Sequence, residues 1–187
     1  MTFTGLACQN SLGLTMVRQT VRNFFWIVVV LSVFSCGQED ATFKGRQITY
    51  PLSAANTDYL YEGTAIFKEL EMGGVEVTLQ LAGDRGEGAY YFPVHLHYGE
   101  YDMPEAPMAA MLNPVDIRTL KSVTIVDKLS SGEAFNFDDL GNFDGHIKVH
   151  LADDGPDYHV ILVAGNIGKN RKTEVVVMDQ VSLCRPF

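Results

Sequence analysis

Of the 187 residues, 47% are hydrophobic, 23 are acidic and 14 are basic, which leaves a formal net charge of −9. A chain of this length can bury the core of one domain and is short for two. Its acidity excludes nucleic acid as a partner and excludes charge-driven attachment to anionic lipid.

The first element in chain order is a leader. Arg18 and Arg22 precede Phe24 to Val33, an apolar run interrupted only by Ser32. A transmembrane helix needs about 20 apolar residues, so this run instead suits the apolar centre of a signal peptide. Val33-Phe34-Ser35-Cys36 resembles a bacterial lipobox, with an aliphatic residue at −3, a small residue at −1, and Cys36 as the lipidated first residue of the mature chain. Translation is expected to begin at Met16, because residues 1–15 carry no charge and MVRQTVRNFF reads as an ordinary signal-peptide start. Gly37-Gln38-Glu39-Asp40 is similar to the surface-export signals of Bacteroidetes-type lipoproteins. The expectation is a lipid-anchored protein of the bacterial cell envelope, on the periplasmic or the surface face of the outer membrane. Residues 1–35 are the signal peptide, 36–58 the lipidated N-terminus and tether, and 59–187 the domain. The leader holds two basic residues and no acid, so the remainder carries 12 basic against 23 acidic residues, a formal −11. Removal of Cys8 and lipidation of Cys36 leave Cys184 without an intramolecular partner, so no disulfide is expected.

Strand patterns begin after the tether. Thr64–Leu70 leads into Met72-Gly73-Gly74, a hairpin turn signal, and then into Val75–Leu81. There Val75, Val77, Leu79 and Leu81 share one face, as in a half-buried strand. Gly83–Gly88 is a loop, and Ala89–Tyr98 resumes a strand with Val94, Leu96 and Tyr98 opposite His95 and His97. Gly99–Pro107, with two prolines and three acids, reads as an exposed excursion. Further strands are predicted at Ala109–Leu112, Lys121–Val126, His146–Leu151, His159–Ala164 and Glu174–Met178, with one helical turn within Phe135–Leu140. About eight short strands and no amphipathic helix predict an all-β fold, an antiparallel β-sandwich with Greek-key-like connections.

All five histidines, His95, His97, His146, His150 and His159, fall within 65 residues. On a strand His95 and His97 point the same way, with Cα atoms about 6–7 Å apart, so two imidazoles can share one ion. His146 and His150 lie roughly 13 Å apart on an extended segment and cannot both join that ion. Copper or zinc is the metal that such a set would take, since neutral imidazole suits both. Glu100, Asp102 and Glu105 either complete a site or solvate the loop. The competing interpretation is that the histidines are structural, bonded to carbonyls or paired with acids.

Phe92-Pro93-Val94-His95-Leu96-His97, the AAMLNPVD block at Ala109–Asp116, Lys121-Ser122-Val123-Thr124, FDDLGNFDGHIKVHL at Phe137–Leu151 and VAGNIGKN at Val163–Asn170 occur in that order. Together they resemble bacterial CHRD-domain proteins, named for a domain first described in chordin. The resemblance spans roughly residues 60–170 and implies an exported β-sandwich with no settled enzymatic activity. It matches His95, His97 and His150 to the family's histidines, whereas His146 and His159 are extra to it. His146 replaces a usual Tyr and Asn166 a usual Asp.

The His-x-His strand also resembles copper-zinc superoxide dismutase in outline, but that family's disulfide and second histidine-rich loop are missing. No G-x-S-x-G elbow, H-E-x-x-H helix or Gly-rich phosphate loop is present. Asp153–Asp157 reads as a turn, without the ligand spacing of an EF-hand. Two functions follow as expectations. One is a non-enzymatic binding or structural module that meets an envelope or extracellular ligand; the other is a copper or zinc protein using His95, His97 and His150.

Overall fold

A computed structural model of the chain describes residues 42–171 and Ser182. The expected leader, Cys36, Cys184 and the strand predicted at Glu174–Met178 lie outside the described residues. Among the described residues there are eight strands: β1 (Phe43–Ala54), β2 (Glu62–Leu70), β3 (Val75–Ala82), β4 (Tyr91–Tyr98), β5 (Met108–Asp116), β6 (Lys121–Val126), β7 (Asp144–His150) and β8 (Ile161–Gly168). Two single 3-10 turns interrupt the connections, at Phe137–Asp139 and Pro156–His159.

Period-two alternation builds most of these strands. On β3, Val75, Val77, Leu79 and Leu81 are all buried, and the Gly73-Gly74 turn before it uses positive φ at both glycines. Only glycine takes that conformation without steric cost. The all-β antiparallel expectation therefore holds, but its packing differs. The strands run β1-β2-β3-β6-β5-β4-β7-β8 and close into a barrel rather than stacking as the two sheets of a sandwich. Within that order β4, β5 and β6 are consecutive neighbours and β3 lies beside β6, a Greek key.

The strand that closes the ring is β1. It occupies most of the 36–58 segment expected to be a tether, and it pairs with β2 along one edge and with β8 through Ser53↔Ala164 and Ala54↔Val163 along the other. Its sequence hides it. Only Tyr50 and Leu52 are buried, and Gly45 and Pro51 break up the apolar alternation. Closure removes the free edges that an open sheet would expose. At the seam Gly165 is required, because a Cβ there would collide with the Pro51 carbonyl oxygen.

One contiguous apolar cluster fills the barrel, including Leu52, Phe67, Val77, Leu79, Phe92, Val94, Leu96, Val115, Ile147, Val149 and Val163. The interior of an eight-stranded barrel is of a size that side chains can fill, as they do here. The β6–β7 connection adds Phe135, Phe137 and Leu140 to the same cluster.

Candidate metal centre

The β4–β7 pair positions the histidines. Its register sets Val94 against Val149 and Leu96 against Ile147, and these four belong to the interior. The alternate positions must then face outward, and they are His95 opposite Lys148 and His97 opposite His146. His150 follows two residues after Lys148 on the same face, past a register shift between Val149 and His150 on the β8 side.

An outward face of a barrel is ordinarily wet. Here it is closed: His95 is 4% exposed, His97 2%, and His146, Lys148 and His150 are 0% exposed. Two connections supply the cover. The 99–107 excursion between β4 and β5 keeps Asp102, Met103, Pro104 and Glu105 in solvent, but Ala106 is buried. The β7–β8 connection brings in the buried ring of Tyr158. Ser182 joins them: it accepts from Lys148 Nζ and donates from Oγ to the Asp102 carbonyl at 2.6 Å.

Three imidazoles are anchored through Nδ1. His97 Nδ1 lies 3.0 Å from the Ala106 carbonyl oxygen, His146 Nδ1 2.8 Å from that of Gly99, and His150 Nδ1 2.8 Å from that of Tyr158. A carbonyl only accepts, so each Nδ1 carries the proton and donates, and each Nε2 is left with its lone pair. Nε2 of His146 and Nε2 of His150 are buried with no hydrogen-bond partner. Backbone carbonyls used in this way fix the tautomer and the ring orientation of metal-binding histidines.

The rings form a row. Tyr158 stacks on His150 at 4.8 Å and 14°, His150 is 4.9 Å from His95, His95 is 5.7 Å from His97, and His97 stacks on His146 at 5.0 Å and 8°. Within the row, His95, His97 and His150 each offer one ring nitrogen, and these atoms lie within 4.8 Å of one another. Three points so spaced have a common centre at most about 2.8 Å from each, against a metal–nitrogen bond of about 2.0–2.1 Å. Ligation would therefore draw the rings inward by less than about 1 Å.

Burial also sets the protonation state. Desolvation pushes His95 and His146 down to about 3, and His97 and His150 down to about 4. For His97, His146 and His150 the neighbouring Lys148 charge lowers the value further. At neutral pH all four rings are neutral, which is the form that binds metal.

The structure brings together the three histidines expected from the sequence and leaves His159 exposed on its 3-10 turn. Glu100, Asp102 and Glu105 do not join the converging donors. Sequence reasoning missed the burial of Lys148 and the stacking of His146 on His97. The period-two spacing of His146, Lys148 and His150 was the available signal, since it puts all three on the face of His95 and His97 once β4 and β7 pair. Fold and site together define a closed antiparallel β-barrel with a buried row of imidazoles on its outer wall. No family model, curated protein or solved structure matches the chain.

Proposed function

We propose that this is an exported, lipid-anchored β-barrel module of the bacterial envelope that binds a copper or zinc ion through His95, His97 and His150. The observation that carries the metal assignment is the convergence of three buried, neutral ring nitrogens within 4.8 Å. The Nδ1-to-carbonyl anchors of His97 and His150 support it, because they turn Nε2 of both rings into preset donors. Export and anchoring rest on the Arg18-to-Cys36 signal pattern, and the block order from Phe92 to Asn170 supports a CHRD-type domain.

Elemental analysis of the purified full chain, after incubation with copper or zinc and desalting, tests the metal assignment. About one equivalent is expected to be retained, and His95→Ala and His97→Ala are expected to abolish retention. Binding below about a tenth of an equivalent would leave the row as a structural polar layer. Mass spectrometry of the mature N-terminus tests the anchor, and an acylated residue other than Cys36 would overturn it.

A further inference from the structure

Resting on the three-histidine assignment, we infer that His146 is a positioning residue of the site: its ring, stacked on His97, fixes the plane in which His97 offers Nε2 to the ion. His146 is 0% exposed, as deeply buried as any of the three, yet it stands outside the set of converging nitrogens. Its own Nε2 is buried with no hydrogen-bond partner. A ring kept at that cost, one place beyond His97 in the row, has its effect through the neighbour it stacks on.

The χ2 torsion of an imidazole has no sharp staggered wells, so the direction of the Nε2 lone pair is set from outside the side chain. The bond from His97 Nδ1 to the Ala106 carbonyl, 3.0 Å long, places one ring atom and does not by itself set the ring plane. A face-on neighbour does: the rings of His97 and His146 lie 5.0 Å apart and within 8° of parallel. His150 shows the same two devices at the other end of the row, with Nδ1 on the Tyr158 carbonyl and its ring 14° from parallel with that of Tyr158. His95, His97 and His150 thus lie between two rings, Tyr158 and His146, that stand outside the converging set.

His146 can orient His97 because it is itself held. The two residues are directly paired across the β4–β7 ladder, which sets their Cβ atoms about 4.5–5.5 Å apart. His146 Nδ1 bonds the Gly99 carbonyl at 2.8 Å. The preceding Gly145 lets the strands close, since a Cβ there would come within 2.6 Å of the His97 carbonyl oxygen. Gly99 and Ala106 lie near the two ends of the 99–107 excursion, so the stacked pair also ties both ends of that cover to the site.

Two substitutions separate the ring from its nitrogens. His146→Phe keeps a ring to stack and removes both nitrogens; His146→Gln keeps a donor for the Gly99 carbonyl and removes the ring. The full chain in detergent is loaded with whichever of copper or zinc the wild type retains, and affinity is measured by competition with a chromogenic chelator of that metal. Cobalt(II) absorption spectra of the same proteins report the ligand geometry. His146→Phe is expected to bind near the wild-type affinity, with the cobalt spectrum unchanged. His146→Gln is expected to bind about 10–100-fold more weakly and to shift the spectrum, with the metal-free fold intact by circular dichroism. If His146→Gln fails to fold, His146→Leu takes its place with the same expectation. His146→Gln near wild type, or His146→Phe as weak as His146→Gln, overturns the positioning role, the second result by placing a His146 nitrogen among the ligands. Neither result touches the three-histidine site, which His95→Ala and His97→Ala test. Retention of neither metal by the wild type overturns the site and the inference together.

Discussion

The β4–β7 pair has two faces that are buried to the same degree and built from opposite chemistry. Inside the barrel lie Val94, Leu96, Ile147 and Val149; on the outer wall, under the 99–107 and 151–160 connections, lie His95, His97, His146, Lys148 and His150. The inner face needs no function to explain it, because apolar burial drives folding. The outer face carries a cost that apolar burial does not. Each buried polar atom left without a partner costs roughly 1–3 kcal/mol, and Nε2 of His146 and of His150 are such atoms. A fold that needed only a cover for its outer wall could have used apolar residues there, and that contrast is one reason the row is proposed as a site.

Acid should separate the two faces most strongly. The four histidines have folded-state values near 3 to 4, below the usual value of about 6.5 that they regain on unfolding. Between those limits the unfolded chain binds more protons, so stability is full above pH about 6.5 and falls as the pH drops toward 4. Each ring contributes about 1.4 kcal/mol per pH unit in that window. All four shifts have the same sign, so their losses act together as the pH falls. Circular dichroism against pH should show cooperative unfolding near pH 5, and bound metal should shift the midpoint lower. A flat signal down to pH 4 would mean that the row is not neutral and dry as described.

On the inner face, Ile147→Ala should cost about 2–5 kcal/mol in denaturant unfolding, by lost burial and the cavity left behind. Gly165→Ala, which drives a methyl toward the Pro51 carbonyl and Leu52 at the β1–β8 seam, should cost about 1–3 kcal/mol. The smallest effect on stability belongs to the outer face. His150→Leu removes one hydrogen bond to the Tyr158 carbonyl but also relieves a buried unpaired nitrogen, so the metal-free protein should change by only about 1 kcal/mol. The same variant should lose metal retention altogether. If His150→Leu instead destabilised the metal-free protein as much as Ile147→Ala, the contrast between scaffold and site would collapse.

Much of this was legible along the chain. The alternation in Val75–Leu81 and in Val94–Tyr98 gave β3 and β4, and the His95–His97 spacing placed both rings on one face. Convergence with His150 was reachable only through the family resemblance, because β4 and β7 pair across some fifty residues of sequence. The acids and prolines of 99–107 correctly suggested an exposed loop, yet composition is silent about backbone, and the Gly99 and Ala106 carbonyls are what hold His146 and His97.

By itself, the sequence determined the all-β character, the strands with clean alternation, the pair of neighbouring imidazoles, and an expectation of export that stands on Arg18 to Cys36. These are local properties, set by period, charge order and turn residues within a dozen positions. Barrel or sandwich, tether or strand for 43–54, and wet or dry for the outer wall were decided only in the tertiary structure. Each depends on pairings between segments distant in sequence, β1 with β8, β4 with β7, and two connections folded over one face, and no local pattern encodes which distant partner a strand or loop will meet.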